Sequence, residues 1–203
     1  AAPFAPVTGE TADGCAEVLR MFKAGLIGMN PLEIEKIHQM MDGVVHGNGS
    51  AKCAVDIALY DIMGKVMGQP LYRVLGGWQN VVQNDVTIGI GEPEKMAQAA
   101  ARYVHEQGYR ILKIKAGIDP AEDIRALTLI RQAVGPQVRL RVDANQGYTV
   151  SKAIYALEEM KKLGIEAVEQ CLPDWDLEGA KELKSKVSGI QLMLDESIHT
   201  VKD

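Results

Sequence analysis

Aromatic side chains are scarce in this chain of 203 residues: they make up 5% of it, with two Phe and two Trp. Its core must therefore be filled by Ile, Val, Leu, Met and Ala. Cysteine is also rare. Cys15, Cys53 and Cys171 are odd in number, far apart and without a Cys-x-x-Cys pairing, which points away from a disulfide framework or a thiolate metal site. A reduced, cytoplasmic protein is the expectation, with Cys171 a small buried thiol. No run of Lys and Arg occurs, and the formal net charge is -5, so nucleic acid is not an expected partner. Nor is there an apolar segment long enough to span a membrane, or a charged-then-apolar leader. The four histidines, His38, His46, His105 and His199, show no paired ligand spacing.

What remains is an ordinary globular composition, 47% hydrophobic and 24% charged, enough for one or two domains. Residues 1–10, with Pro3, Pro6 and Gly9, read as an extended segment leading into a turn. A helix follows from Thr11, with Thr11 or Asp13 as cap and Val18, Leu19 and Phe22 as its apolar stripe. A second opens at Pro31 behind Asn30, its inner face marked by Ile34, Ile37, Met40 and Met41. Ser50 caps a third, Ala51 to Met67, and a short turn of helix over 71–75 ends at Gly76 and Gly77. Residues 1–80 are thus expected to be helical.

From Val81 strand and helix alternate. Predicted strands cover 85–90, 109–115, 138–143, 165–169 and 190–195, and predicted helices 93–107, 120–134, 150–163 and 177–187. The period, near that of a β/α unit, predicts an α/β protein with a (β/α) TIM-type barrel in 81–203. Five strands are present where a barrel needs eight, so the chain reads as a fragment whose later strands lie outside it.

The organising feature is where the strands stop. Ile111-Leu112-Lys113-Ile114-Lys115 ends on a lysine, and apolar runs downstream close on Asp143, Glu169 and Asp195. These groups recur at intervals of about 26 to 28 residues, one strand plus one helix. Two lysines and three carboxylates then converge on one face of a sheet. A single acidic residue after a strand is usually a turn former or a cap. Three at equivalent ends repel unless a cation sits among them, and hard oxygen ligands suit Mg²⁺. Lys113 and Lys115, two apart on a strand, share a face; like charge beside like charge lowers one pKa and makes a usable base. A metal and an amine base in one cavity would allow abstraction of a proton α to a carboxylate.

These residues carry a resemblance. Ser50-Ala51-Lys52-Cys53-Ala54-Val55-Asp56 through Leu75-Gly76-Gly77, the Lys113/Lys115 strand, Asp143-Ala144-Asn145-Gln146, Glu169-Gln170 and Asp195-Glu196-Ser197 resemble, in that order, the muconate lactonizing enzyme subgroup of the enolase superfamily. Superfamily sites with a Lys or His base and Mg²⁺ are a known pattern. The resemblance implies that 1–80 is the helical part of an α+β capping domain and 81–203 the first part of a (β/α)7β barrel. It implies one Mg²⁺ per active site, held by Asp143, Glu169 and Asp195. Lys115 would be one acid/base catalyst acting through an enediolate, and Lys113 would tune its pKa and contact the substrate carboxylate. Asn145 would line the site. The opposite base, a lysine on the sixth strand, would fall past Asp203, so this piece alone is not expected to turn over substrate.

Within the subgroup, Pro6-Val7-Thr8-Gly9-Glu10-Thr11 and the strand Asp85 to Ile90 are most similar to dipeptide epimerases, in which Thr87 would contact substrate; as a residue, Thr87 is equally a plain β-former. The implied partner is a small carboxylate or dipeptide, and the implied assembly a homo-oligomer. A muconate-type cycloisomerase, an o-succinylbenzoate synthase or an N-acylamino acid racemase would use the same five residues. From another class, a non-catalytic barrel could keep the metal for structure or for an acidic ligand; two lysines beside the carboxylates argue against it.

Overall fold

The computed structural model of the chain describes residues 3–201. It divides into two compact units, Ala1–Val82 and Gln83–Asp203.

Among the described residues, the elements of the first unit are helices: α1 (Ala5–Thr8), α2 (Ala12–Leu26), α3 (Ile34–Val44), α4 (Gly49–Met67) and α5 (Leu71–Val74). Its core is small, built on Cys15, Val18, Phe22, Ile37, Met41, Ala51 and Leu59. Thr11 caps α2, its side chain accepting from the Gly14 N–H. Three local expectations are corrected. The opening is not wholly extended, because Pro6 sits in the first turn of α1, where its fixed φ is favourable. Pro31 does not start α3: Asn30 Oδ1 accepts from the Leu32 N–H at 3.1 Å, closing a turn, and the helix begins at Ile34. Ser50 does not cap α4 either. It lies inside the helix, and the Glu10 carboxylate, distant in sequence, accepts from both its N–H and its hydroxyl.

The second unit alternates strand and helix: β1 (Val86–Ile88), α6 (Pro93–His105), β2 (Ile111–Lys115), α7 (Pro120–Val134), β3 (Arg139–Asp143), α8 (Val150–Lys162), β4 (Ile165–Glu169), α9 (Leu177–Lys186) and β5 (Gln191–Met193). All pairings are parallel and the sheet order is β1-β2-β3-β4-β5, each strand beside its successor. That order is the one consecutive units of a barrel produce. The α/β expectation holds for this five-stranded sheet.

Alternation within the strands decides which face carries what. Leu112, Ile114, Leu140, Val142 and Val168 point to the helices and join a core with Leu127, Ile130, Leu157 and Met160. The opposite face carries Lys113, Lys115, Arg141, Asp143 and Glu169. Between Leu140 and Arg141 the register to β4 shifts, and Glu166 meets Arg139 with Nε–Oε2 at 2.9 Å. Among the described residues no helix is long and apolar enough to cross a membrane.

Candidate active site

In a parallel sheet all strand C-termini lie along one edge, so register decides which of them meet. Lys115 pairs with Asp143, Asp143 with Glu169, and Glu169 with Met193. One level below, Thr87 pairs with Lys113 and Lys113 with Arg141. Two lysines and two carboxylates therefore share one end of the sheet, and Thr87 is exposed beside Lys113.

Asp143 is the hub. Its Oδ2 lies 2.9 Å from Lys113 Nζ and 2.8 Å from Lys115 Nζ. Its Oδ1 accepts from the Asn145 N–H at 3.0 Å. Lys113 also reaches Glu169 Oε2 at 2.7 Å, and Lys115 donates to Asn145 Oδ1 at 2.7 Å. Asp143 and Glu169 are 1% and 7% exposed, so ionised carboxylates here need those ammonium groups.

The electrostatics follow from who is shared. Burial pushes the Asp143 carboxyl up, but two ammonium groups and a backbone N–H outweigh it and hold it below the usual range. Glu169 has only Lys113; burial, with the charges of Asp143 and Asp195, holds it above its usual value. Lys113 is pushed down by burial, yet its hydrogen bonds to Glu169 and Asp143 prevail and keep it above the ordinary lysine value. The expectation that the lysine pair drives one ammonium toward neutrality does not describe Lys113, because carboxylates fill the space between the two.

Asp195 departs from expectation in another way. β5 stops at Met193, and Asp195 lies two residues further on, exposed, in a bend. Its charge is felt at Glu169. Among the described residues, however, no three His, Cys, Asp or Glu side chains converge as a metal-ligand group. The donor set still fits a hard cation: carboxylate oxygens at the ends of neighbouring strands, two of them buried and already gathered about a positive charge.

Several residues without a role assigned from sequence turn out to build the site. Gly117 (φ +104°) and Gly147 let the loops after β2 and β3 touch: a Cβ on Gly147 would collide with the Gly117 carbonyl, and one on Gly117 with that of Ala144. Tyr148 Oη donates to Asp123 Oδ2 at 2.7 Å, and the same oxygen accepts from the Gly117 N–H at 3.0 Å. Glu196 Oε1 accepts from Asn145 Nδ2 at 3.5 Å. Of the four non-glycine residues at positive φ among the described residues, three lie just past strand ends: Asn145 and Gln146 two and three residues after Asp143, and Gln170 next to Glu169. Strain gathered at strand ends is a mark of functional sites. Cys171 is buried, and that burial pushes its thiol up to about 12, away from the thiolate form in which cysteine reacts. An apolar cleft of about 280 Å³ among β4, α9 and β5 is lined by none of the two lysines and three carboxylates.

Comparison with known proteins bears on this geometry. Residues 4–76 match the family model described as "Mandelate racemase / muconate lactonizing enzyme, N-terminal domain", and residues 95–203 the one described as "Enolase C-terminal domain-like". A hydrophobic dipeptide epimerase of Enterococcus faecalis is 44% identical over 97% of this chain. An L-Ala-D/L-Glu epimerase of Clostridium acetobutylicum is 42% identical over 97%. The chain spans 55% of the length of each of these relatives. A crystal structure of the dipeptide epimerase from Enterococcus faecalis V583, complexed with Mg and the dipeptide L-Leu-L-Tyr, superposes with a TM-score of 0.92, covering 97% of this chain and 55% of that one. By its two family matches and its fold, this chain belongs to the mandelate racemase and muconate lactonizing enzyme family of the enolase superfamily.

Proposed function

We propose that the protein is an epimerase or racemase that removes and returns the proton α to a carboxylate, with dipeptides as its substrate class. The observation that carries this reading is the Lys115 ammonium, held on the charged face by Asp143 and Asn145 at the edge where β2, β3 and β4 end. An amine so restrained on two sides presents its third direction to the face, which is what a group that must meet a C–H bond requires. The names of the relatives, and the Mg and dipeptide in the Enterococcus structure, support dipeptides as the substrate class and Mg²⁺ as the cofactor.

In this reading Asp143, Glu169 and Asp195 hold one Mg²⁺. When bound, the ion would stabilise negative charge developing on the substrate carboxylate. Lys115 takes the α-proton on one face, and the partner base for the other face belongs to the sixth barrel strand. Lys113 pairs with a substrate carboxylate oxygen once its charge is not needed between Asp143 and Glu169. Asn145 orients Lys115, and Thr87, beside Lys113, lines the wall. Residues 1–80 belong to the capping domain and 81–203 to the first five units of the barrel.

The test is proton NMR of the full-length protein in D₂O with Mg²⁺, on a panel of L,L-dipeptides, muconolactone and N-succinylamino acids. Deuterium is expected at the C-terminal α-carbon of a dipeptide. Chelator or Lys115→Ala should lower that exchange by about 10²- to 10⁴-fold. Exchange confined to another panel member would keep the proton-transfer chemistry and remove the dipeptide. No exchange with any of them, while a divalent ion still binds, would favour the non-catalytic barrel.

A further inference from the structure

Asp195 is the one carboxylate of the set that the sheet does not hold. The β4–β5 ladder ends at the Glu169–Met193 pair, and its last bond runs from the Gln170 N–H to the Met193 carbonyl at 2.9 Å. Beyond that point Leu194 and Asp195 are exposed, Asp195 in a bend, with no ladder to hold them, where backbone ordinarily opens at low cost.

The side chain of Gln170 takes over where the ladder stops. Oε1 accepts from the Asp195 N–H at 2.9 Å and from the Ser197 N–H at 3.4 Å. Nε2 donates to the Leu172 carbonyl at 2.9 Å and to Ser197 Oγ at 2.8 Å. A primary amide has two donors and two lone-pair positions, so all four are in use. The restraint continues outward: Ser197 Oγ donates to the Asp174 carbonyl at 2.8 Å, and the Asp174 N–H donates to Gln146 Oε1 at 2.9 Å. Two strand-end glutamines thus tie together the loops after β3, β4 and β5.

Gln170 is also 1% exposed and sits at φ +39°. A buried amide is costlier than an apolar side chain of the same size unless every bond is made, and a left-handed glutamine adds strain. Filling space does not account for either. Holding the Asp195 loop accounts for both.

We infer that Gln170 is a positioning residue for divalent-cation binding: its amide fixes the Asp195 loop against the end of β4, so that the third carboxylate is organised before an ion arrives. This rests on the reading of Asp195 as a Mg²⁺ ligand. Asp195 itself touches the ion; Gln170 acts through it.

Gln170→Met keeps the bulk and removes all four bonds. In the full-length protein, Mg²⁺ titrated calorimetrically should bind about 10- to 100-fold more weakly than to the unsubstituted protein. Proton exchange should recover as Mg²⁺ is raised, because the defect lies in ion binding and not in Lys115. Gln170→Gly, which suits the positive φ, should show the same weakening. Arg131→Met, which loosens the opposite end of the sheet, should keep normal Mg²⁺ affinity, separating positioning from general loosening. Normal affinity in a folded Gln170→Met protein would overturn the inference. So would rapid hydrogen exchange of the Gln170 side-chain amide in the metal-free protein, slowed only when Mg²⁺ is added, whatever the variants do. If the unsubstituted protein binds no divalent ion, the metal reading itself fails and this inference with it. That result is distinct from normal binding left unchanged by Gln170→Met.

Discussion

Both ends of the five-stranded sheet carry a knot of opposite charges on one face, and the two knots are made of different residues. At the strand starts, Arg139 and Arg141 meet Glu166, and Arg141 meets Asp85, at distances up to 3.6 Å and with side chains 24% to 47% exposed. At the strand ends, Lys113 and Lys115 meet Asp143 and Glu169, whose side chains are 2% and 8% exposed. Guanidinium groups stay protonated and bind in a fixed fork, so the first knot joins strands and can do little else. Ammonium groups are mobile point charges that can give up a proton. Burying their partners costs desolvation that the pairing only partly returns, and strain of order 1 kcal/mol at each of Asn145, Gln146 and Gln170 is added at the same end. The sheet is tied by one end and strained at the other, which is the division expected when chemistry is confined to the strand C-termini.

That division can be broken or sharpened by substitution. The largest effect is expected from Lys115→Ala, which should remove nearly all exchange while shifting stability by less than about 1 kcal/mol, since Asp143 keeps Lys113 and the Asn145 N–H. Urea unfolding would check this; a collapse of the fold would make Lys115 structural and erase the contrast. Next, Asp143→Ala should remove Mg²⁺ binding and also cost about 3 kcal/mol, because it strips two ammonium groups of their shared partner. Unchanged stability there would mean the lysines swing freely to water.

A smaller loss is expected at the opposite end. Arg131 donates to the carbonyls of Leu163, Gly135, Val138 and Gly164, clasping the turns before β3 and β4. Arg131→Met should cost about 2 kcal/mol in urea unfolding with the exchange rate per folded molecule unaltered. A lost rate would show that the two ends are coupled. Smallest of all is Glu166→Gln. Its carboxyl is held below the ordinary 4.5 by the hydrogen bond from Arg139. A depressed folded pKa contributes stability above the unfolded value and loses it as pH falls through the folded one. The penalty of Glu166→Gln should therefore be present at pH 7 in low salt, fade below about pH 4.5, and shrink in high salt. A penalty that survives acid and salt would move this pair from the screened surface class to a buried one.

The middle of the sheet was the most legible part in sequence. Bounds for α7 and β4 read from periodicity agree with the structure, because Asp119-Pro120 opens one and Gly164 precedes the other, and both are local signals. Local signals misled where another partner competed, distant in one case and two residues away in the other. Glu10 took the capping task assigned to Ser50, and Asn30 spent its side chain on a turn. β5 was read as 190–195, one residue too long at its start and two at its end, since β4, its ladder partner among the described residues, pairs with it at three positions. Gln170 was visible as a letter after Glu169 but not as a clamp, for its four partners come from residues 172, 195 and 197.

By itself the sequence determined the alternation of strand and helix and the face shared by Lys113, Lys115, Asp143 and Glu169, because each depends on side-chain period along one segment. Only the tertiary structure decided that Lys113 bridges Asp143 to Glu169, that Asp195 lies off the sheet, and that a buried glutamine holds its loop. Register between strands and bonds across loops link positions some 25 to 30 residues apart. Those links form through burial and desolvation, which the order of residues along a chain does not express.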